Sequence, residues 1–150
     1  MPSTPSLILR LKADYPQFGF KPSDNFLWSP TEQTIYYIAD EVGAGFVLHE
    51  LCHGILGHTG YDHDIELLAM EGAAWDKAVE ISKRYALSID GELIQSTLDT
   101  YRDWLHARSA CPECRATGLQ IKKQLYACPA CQHSWRVNEA RICALRRFTA

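Results

Sequence analysis

A chain of 150 residues suits one ordinary domain, or a modest domain with a small appendage. Its 47% hydrophobic and 22% charged residues match a folded globular protein and exclude wholesale disorder, and no apolar run reaches the ~18–20 residues that span a bilayer. The net charge of −3 hides an acidic body and a basic tail: residues 1–108 carry 8 Lys and Arg against 16 Asp and Glu, and residues 109–150 carry 7 against 2.

In chain order, residues 1–33 hold Pro and Ser clusters around the apolar patches "FGF" and "NFLW". They predict a helix or loop followed by extended structure. "TIYYIA" (34–39) is β-branched and aromatic and predicts a strand. Asp40 is placed to cap the next helix, with Glu41 in its first turn. That helix is expected to run to about His58, ended by Gly60. A second helix is expected over 63–86, capped by Asp62 or Asp64, with Ile65, Leu68, Gly72, Trp75 and Val79 on one stripe. A third fits 90–108, its apolar face made by Leu93, Leu98, Tyr101, Trp104 and Leu105. The character changes at Ser109, which sets the expected boundary between a body (1–108) and a small C-terminal module (109–150). The N-terminus lacks a basic stretch followed by a long apolar core, so a cytoplasmic location is expected.

"VLHELCHGILGH" (47–58) carries the chemistry. His49 and His53, four apart, project from one helix face a single turn apart, which suits two adjacent corners of a tetrahedral metal site. Glu50 is placed to act as general base on a water at that metal, the HExxH arrangement. The apolar flanks predict a buried helix, where unpartnered polar side chains cost ~1–3 kcal/mol each. Cys52 reads as a small buried hydrophobe.

Candidates for a third ligand are His58, His63, Glu66 and Glu71. His58 lies about 140° round the helix from His53, so it reads as a polar residue near the helix end. Glu71 falls at the edge of the second helix's buried face, whereas Glu66 falls among Lys77, Glu80 and Arg84 on the solvated side. Glu71 is therefore preferred.

"CPEC" (111–114) and "CPAC" (128–131) place Cys111, Cys114, Cys128 and Cys131 at zinc-ribbon spacing, a closed and therefore structural metal site. The intervening "RATGLQIKKQLYA" predicts alternating strand residues with a Gly turn. So small a piece has little core, and its metal is expected to supply folding energy. His133 and Cys143 are surplus to the four thiolates. Lys122, Lys123, Arg136, Arg146 and Arg147, with an exposed Trp135, would give the module a docking surface for nucleic acid or protein.

"HELCHGILGH" followed by "MEGAAWDKA" resembles the ImmA/IrrE group of short zincin-like metallopeptidases over about residues 30–85. The resemblance implies an α+β zincin-like body with one catalytic zinc. It matches His49, His53 and Glu71 to the ligands, Glu50 to the base, and "TIYYIA" to the strand forming the substrate-facing sheet edge; Tyr61 is a candidate oxyanion tyrosine. With a second, structural zinc in the ribbon, the expected activity is hydrolysis of peptide bonds in an intracellular protein. A SprT-like protease working near DNA shares the domain arrangement but not the HGxxF-type context of its third ligand. A non-catalytic binding factor on the same scaffold is the alternative from another class.

Overall fold

The structure, a computed structural model, describes residues 3–40, 42–139 and the backbone of 147–149. Glu41, Cys143 and Arg146 lie outside the described residues, as does the side chain of Arg147. The fold is α+β, with four α-helices and two small sheets among the described residues. None of the described helices is long and apolar enough to cross a membrane.

The elements are α1 (Thr4–Asp14), β1 (Gly19–Pro22), β2 (Leu27–Ser29), β3 (Thr34–Tyr37), α2 (Ala44–Ile55), α3 (Asp64–Ser82) and α4 (Gly91–Ser109), then β4 (Leu119–Lys122), β5 (Leu125–Ala127), β6 (Ser134–Val137) and β7 (Arg147–Thr149). The chain divides into two compact units, one of Met1–Thr59 with Met70–Ile94, the other of Gly60–Ala69 with Gln95–Ala150. This division differs from a single cut at Ser109, and buried charge explains why. Arg108, 2% exposed, donates from Nε to Asp64 Oδ2 at 2.7 Å and from Nη1 to the Asn138 carbonyl. Tyr126 Oη donates to the same Asp64 oxygen at 2.6 Å. Residues 60–69 and the last part of α4 therefore pack with the cysteine module.

In the first unit the sheet order is β1-β3-β2, β1 parallel and β2 antiparallel to β3. "TIYY" is thus the central strand, as the fully buried Ile35 requires. The edges belong to β1 and β2, which corrects the assignment of "TIYYIA" to the edge. Leu7 and Leu11 of α1 and Val47, Leu48 and Leu51 of α2 join Ile35 in the core.

Both ends of α2 differ from expectation. Gly43 is the N-cap, while Asp40 Oδ1 accepts from Val42 N at 3.0 Å in a turn before the helix. At the other end Gly57 takes φ +70°, His58 N donates to the His53 carbonyl and Gly57 N to that of Gly54. That is a Schellman stop, three residues ahead of Gly60. In α3 the buried stripe is Leu67, Glu71, Ala74, Ala78 and Ile81, with Trp75 beside it; Ile65 and Val79 are exposed. The expected stripe is therefore displaced, and Glu71 stands on the centre of the buried face rather than its edge.

The second unit holds the sheet β4-β5-β6-β7. Its β4–β5 hairpin turns at Lys123 and Gln124, where Gln124 takes φ 63°, not at Gly118. Gly118 instead lies under Trp135, where a Cβ would come within 2.3 Å of Cη2. Trp135 is fully buried and stacks on Tyr126 with ring centroids 5.7 Å apart. Its Nε1 donates to the Arg108 carbonyl at 3.0 Å. The expectation of an exposed Trp135 fails because this indole is the module's core.

Candidate metal centres

Helix α2 is apolar on its buried side, yet His49 and His53 sit on that side, 4% and 6% exposed. Glu71, 5% exposed, meets them from α3. His49 Nε2 lies 2.9 Å from Glu71 Oε2, and His53 Nε2 lies 3.3 Å from Glu71 Oε1. One ligand atom from each of the three residues falls within 4.8 Å of the others. Trp75 floors the site, stacked on the His49 ring at 4.1 Å and 12°.

The electrostatics of this cluster are those of a proton occupying a cation's place. Burial opposes the charged His49 ring, but the carboxylates of Glu50 and Glu71 outweigh it and raise its pKa to about 9. Burial also opposes the charged form of Glu71, and the two imidazoles overcome it, holding the carboxyl well below its ordinary range. Even so, His49 Nε2 and Glu71 Oε2 are buried and make no hydrogen bond, despite being 2.9 Å apart. Two buried electron-donating atoms whose close approach is misaligned for a hydrogen bond are what a cation between them would satisfy. Two imidazole nitrogens and a carboxylate oxygen are also a donor set that divalent metals take in open, three-ligand sites. The residues fit a metal.

Two further side chains attach to this triad. Glu50 follows His49, with Oε1 3.4 Å from His49 Nδ1, and Oε2 accepts from the main-chain N–H of Trp28 on β2 at 2.9 Å. Helical counting from His53 places His58 too far round the helix to join the site. The stop at Gly57 instead folds it back, so that its Nδ1 lies 2.8 Å from His53 Nδ1. Were Nε2 of His53 to hold a metal, its Nδ1 would carry the proton and donate to His58, the kind of outer partner that orients a metal-binding imidazole. Burial, then the neighbouring His53, lowers the His58 pKa, which keeps it the neutral acceptor. The signal in the sequence was Gly57 immediately before His58.

The remaining candidates are accounted for elsewhere. Glu66 Oε2 accepts from the main-chain N–H groups of Asp62 and His63 at 3.0 and 3.4 Å, capping the start of α3. His63 is half exposed, 3.8 Å from Glu66 Oε1. Cys52 is fully buried, and burial pushes its thiol up to about 12, far from the thiolate a metal needs. Tyr61 packs edge-on against Trp104, centroids 6.5 Å apart.

The second centre is built from two copies of one turn. Cys111 N donates to the Ala116 carbonyl and Arg115 N to that of Cys111; Cys128 N donates to the His133 carbonyl and Gln132 N to that of Cys128. Arg115 and Gln132 occupy equivalent left-handed positions, at φ 67° and 68°. Each turn presents two sulfurs, and Sγ atoms pair across the turns at 3.6 Å (Cys111 with Cys131) and 3.5 Å (Cys114 with Cys128). A tetrahedron with metal–sulfur bonds of ~2.3 Å has edges of ~3.8 Å, whereas a disulfide would need ~2.05 Å. Main-chain N–H groups of Cys131 and Ala130 bring the Cys128 thiol down to about 7. The four cysteines fit a metal as well. His133 stacks over Trp135 at 6.2 Å and stands apart from the sulfurs.

No protein-family model, curated protein or solved structure matches this chain.

Proposed function

We propose that the protein is a zinc-dependent metallopeptidase whose catalytic metal is held by His49, His53 and Glu71 and whose structural zinc is held by Cys111, Cys114, Cys128 and Cys131. The observation that carries the reading is the convergence of the three buried ligands within 4.8 Å with a carboxylate, Glu50, fixed beside them by the Trp28 N–H. The resemblance of "HELCHGILGH" and "MEGAAWDKA" to the ImmA/IrrE group supports it.

Bound zinc supplies Lewis acidity to a peptide carbonyl and to the attacking water. The protein's own residues do the rest. Glu50 takes the water's proton and returns it to the leaving amine. Its second oxygen, anchored on β2, keeps the carboxylate from swinging away. His58 fixes the ring of His53, and Trp75 fixes that of His49. The test is Glu50→Gln, which should retain about two zinc ions per chain and lose cleavage by roughly 10²–10⁴-fold. A Glu50→Gln protein that still cleaves, or still produces the wild-type cellular effect, refutes the peptidase reading.

For the ribbon, exposed Lys122 and Arg136, aligned across β4, β5 and β6 through half-buried Leu125, support contact with nucleic acid. Binding that weakens steeply with added salt would be its signature.

A further inference from the structure

We infer that Trp28 is a positioning residue of the three-ligand centre, acting through His58 on the metal-binding ring of His53. The inference rests on reading His49, His53 and Glu71 as metal ligands and goes beyond it, since nothing in the HExxH pattern refers to β2.

Trp28 pairs with Ile35 in the β2–β3 ladder, yet its side chain is committed to α2. The indole is 8% exposed and lies flat over Gly54, where a Cβ would stand 3.0, 3.1 and 3.2 Å from Cζ3, Cη2 and Cε3. Glycine directly after His53 is what lets the ring reach across the helix. Phe18 supports it edge-on at 5.3 Å. The far end of the indole then makes a directed contact: Nε1 donates to the His58 carbonyl at 2.9 Å.

That contact falls where the chain needs it. His58 stands beyond the end of α2, one residue after a left-handed glycine, so helical hydrogen bonding fixes its amide end but not its carbonyl. Its side chain must nonetheless hold Nδ1 within 2.8 Å of His53 Nδ1. Trp28 closes the loop from strand to turn to ligand. An outer partner of this kind sets the orientation and basicity of the imidazole it touches, and its loss typically costs about 10–100-fold in metal affinity. Trp28 acts one bond further out, so the low end of that range is expected.

The test uses the full chain with cobalt(II) as the probe metal. Subtracting the spectrum of Glu71→Ala removes the thiolate absorption of the ribbon and isolates the three-ligand site. Trp28→Phe keeps an aromatic ring on β2 and deletes the donor together with three ring atoms, a packing loss that Ile35→Val and the melting temperature calibrate. It should alter the isolated cobalt spectrum and weaken cobalt binding about tenfold. Gly54→Ala leaves the donor in place but lifts the indole, and should move both readouts the same way. Ile35→Val, a buried methyl loss under Trp28, should lower the melting temperature and leave the spectrum alone. If Trp28→Phe and Gly54→Ala behave like Ile35→Val, Trp28 is packing only and the inference is overturned. If the wild type shows no difference from Glu71→Ala, the metal reading falls and the inference with it. Neither readout needs a peptide, so both are decided independently of hydrolysis.

Discussion

Stripped of metal, the three-ligand site is a buried ion pair, and its titration has a definite sign. His49 is raised from 6.5 to about 9, with burial opposing and Glu50 and Glu71 prevailing. A group raised on folding stabilises fully below its unfolded pKa and loses that contribution as pH climbs through the folded one. Glu71 is lowered from 4.5, so its side of the same pair is present above 4.5 and fades as pH falls. The pair therefore contributes fully between about pH 4.5 and 6.5. The rise from 6.5 to about 9, at 1.36 kcal/mol per pH unit, is worth about 3 kcal/mol, counted once for both partners. Metal-free protein should lose stability at up to ~1.4 kcal/mol per pH unit from pH 6.5 to 9. Saturating metal should flatten this slope, because the cation competes with the proton on His49 and metal affinity should climb about tenfold per unit over the same range, offsetting the loss. The assay is urea unfolding of chelator-treated protein at pH 6.5, 8 and 9.5, followed by circular dichroism, for wild type and Glu71→Gln. Thiols that titrate in this range affect both proteins alike, so the difference in slope isolates the pair. Glu71→Gln should be shallower, retaining only the contribution of Glu50. Equal slopes, or a wild type that gains stability between pH 6.5 and 9, would sink the account of His49 and Glu71.

Three further outcomes follow from the second unit. Arg108→Met should cost ~3–5 kcal/mol by leaving the Asp64 carboxylate buried without its cation, and adding Asp64→Asn should recover part of that loss; denaturant unfolding of metal-loaded protein measures both. Gly118→Ala drives a Cβ to 2.3 Å from the Trp135 ring and 3.1 Å from the Ser109 carbonyl, an overpacking of about 1–3 kcal/mol that should speed removal of the ribbon's metal by a chelator. Gln132→Gly should do the reverse, since relief of a left-handed φ, worth roughly 1–2 kcal/mol, outweighs the ~0.5–1 kcal/mol of added unfolded-chain entropy, visible as a slightly higher melting temperature.

What the sequence made legible was chemistry carried by short, regular spacings. Cysteines three apart in a tight turn can meet one metal whatever surrounds them, and histidines four apart on a helix must share a face. The separation of Glu71 from Glu66 needed only that α3 be helical, because five residues place them about 140° apart. The buried stripe of α3 was harder. Ala74 and Ala78 add little apolar weight to a pattern, and Glu71 is buried by its imidazole partners rather than by its own character. Trp135 misled for a related reason: a lone indole among lysines and arginines looks like a surface contact until β4, β5 and β6 are assembled around it. The position of β2 depended on pairing between distant segments that no local pattern encodes.

His58 shows where local reasoning turned on one dihedral. Counting 100° per residue past His53 assumes that the helix continues, and on that assumption the ring points away from the metal site. Gly57 at φ +70° ends the helix one residue earlier and reverses the chain, so the same five-residue spacing brings Nδ1 to 2.8 Å from its partner. Gly54 and Gly57 then divide the work within "HGILGH". One has no side chain so that Trp28 can cross the helix, and the other has none so that the helix can stop. Between them they convert a histidine that helical geometry excludes into the outer partner of a ligand. A β-branched residue at 57 would strain the left-handed turn and release His58, even though His49, Glu50, His53 and Glu71 were all untouched.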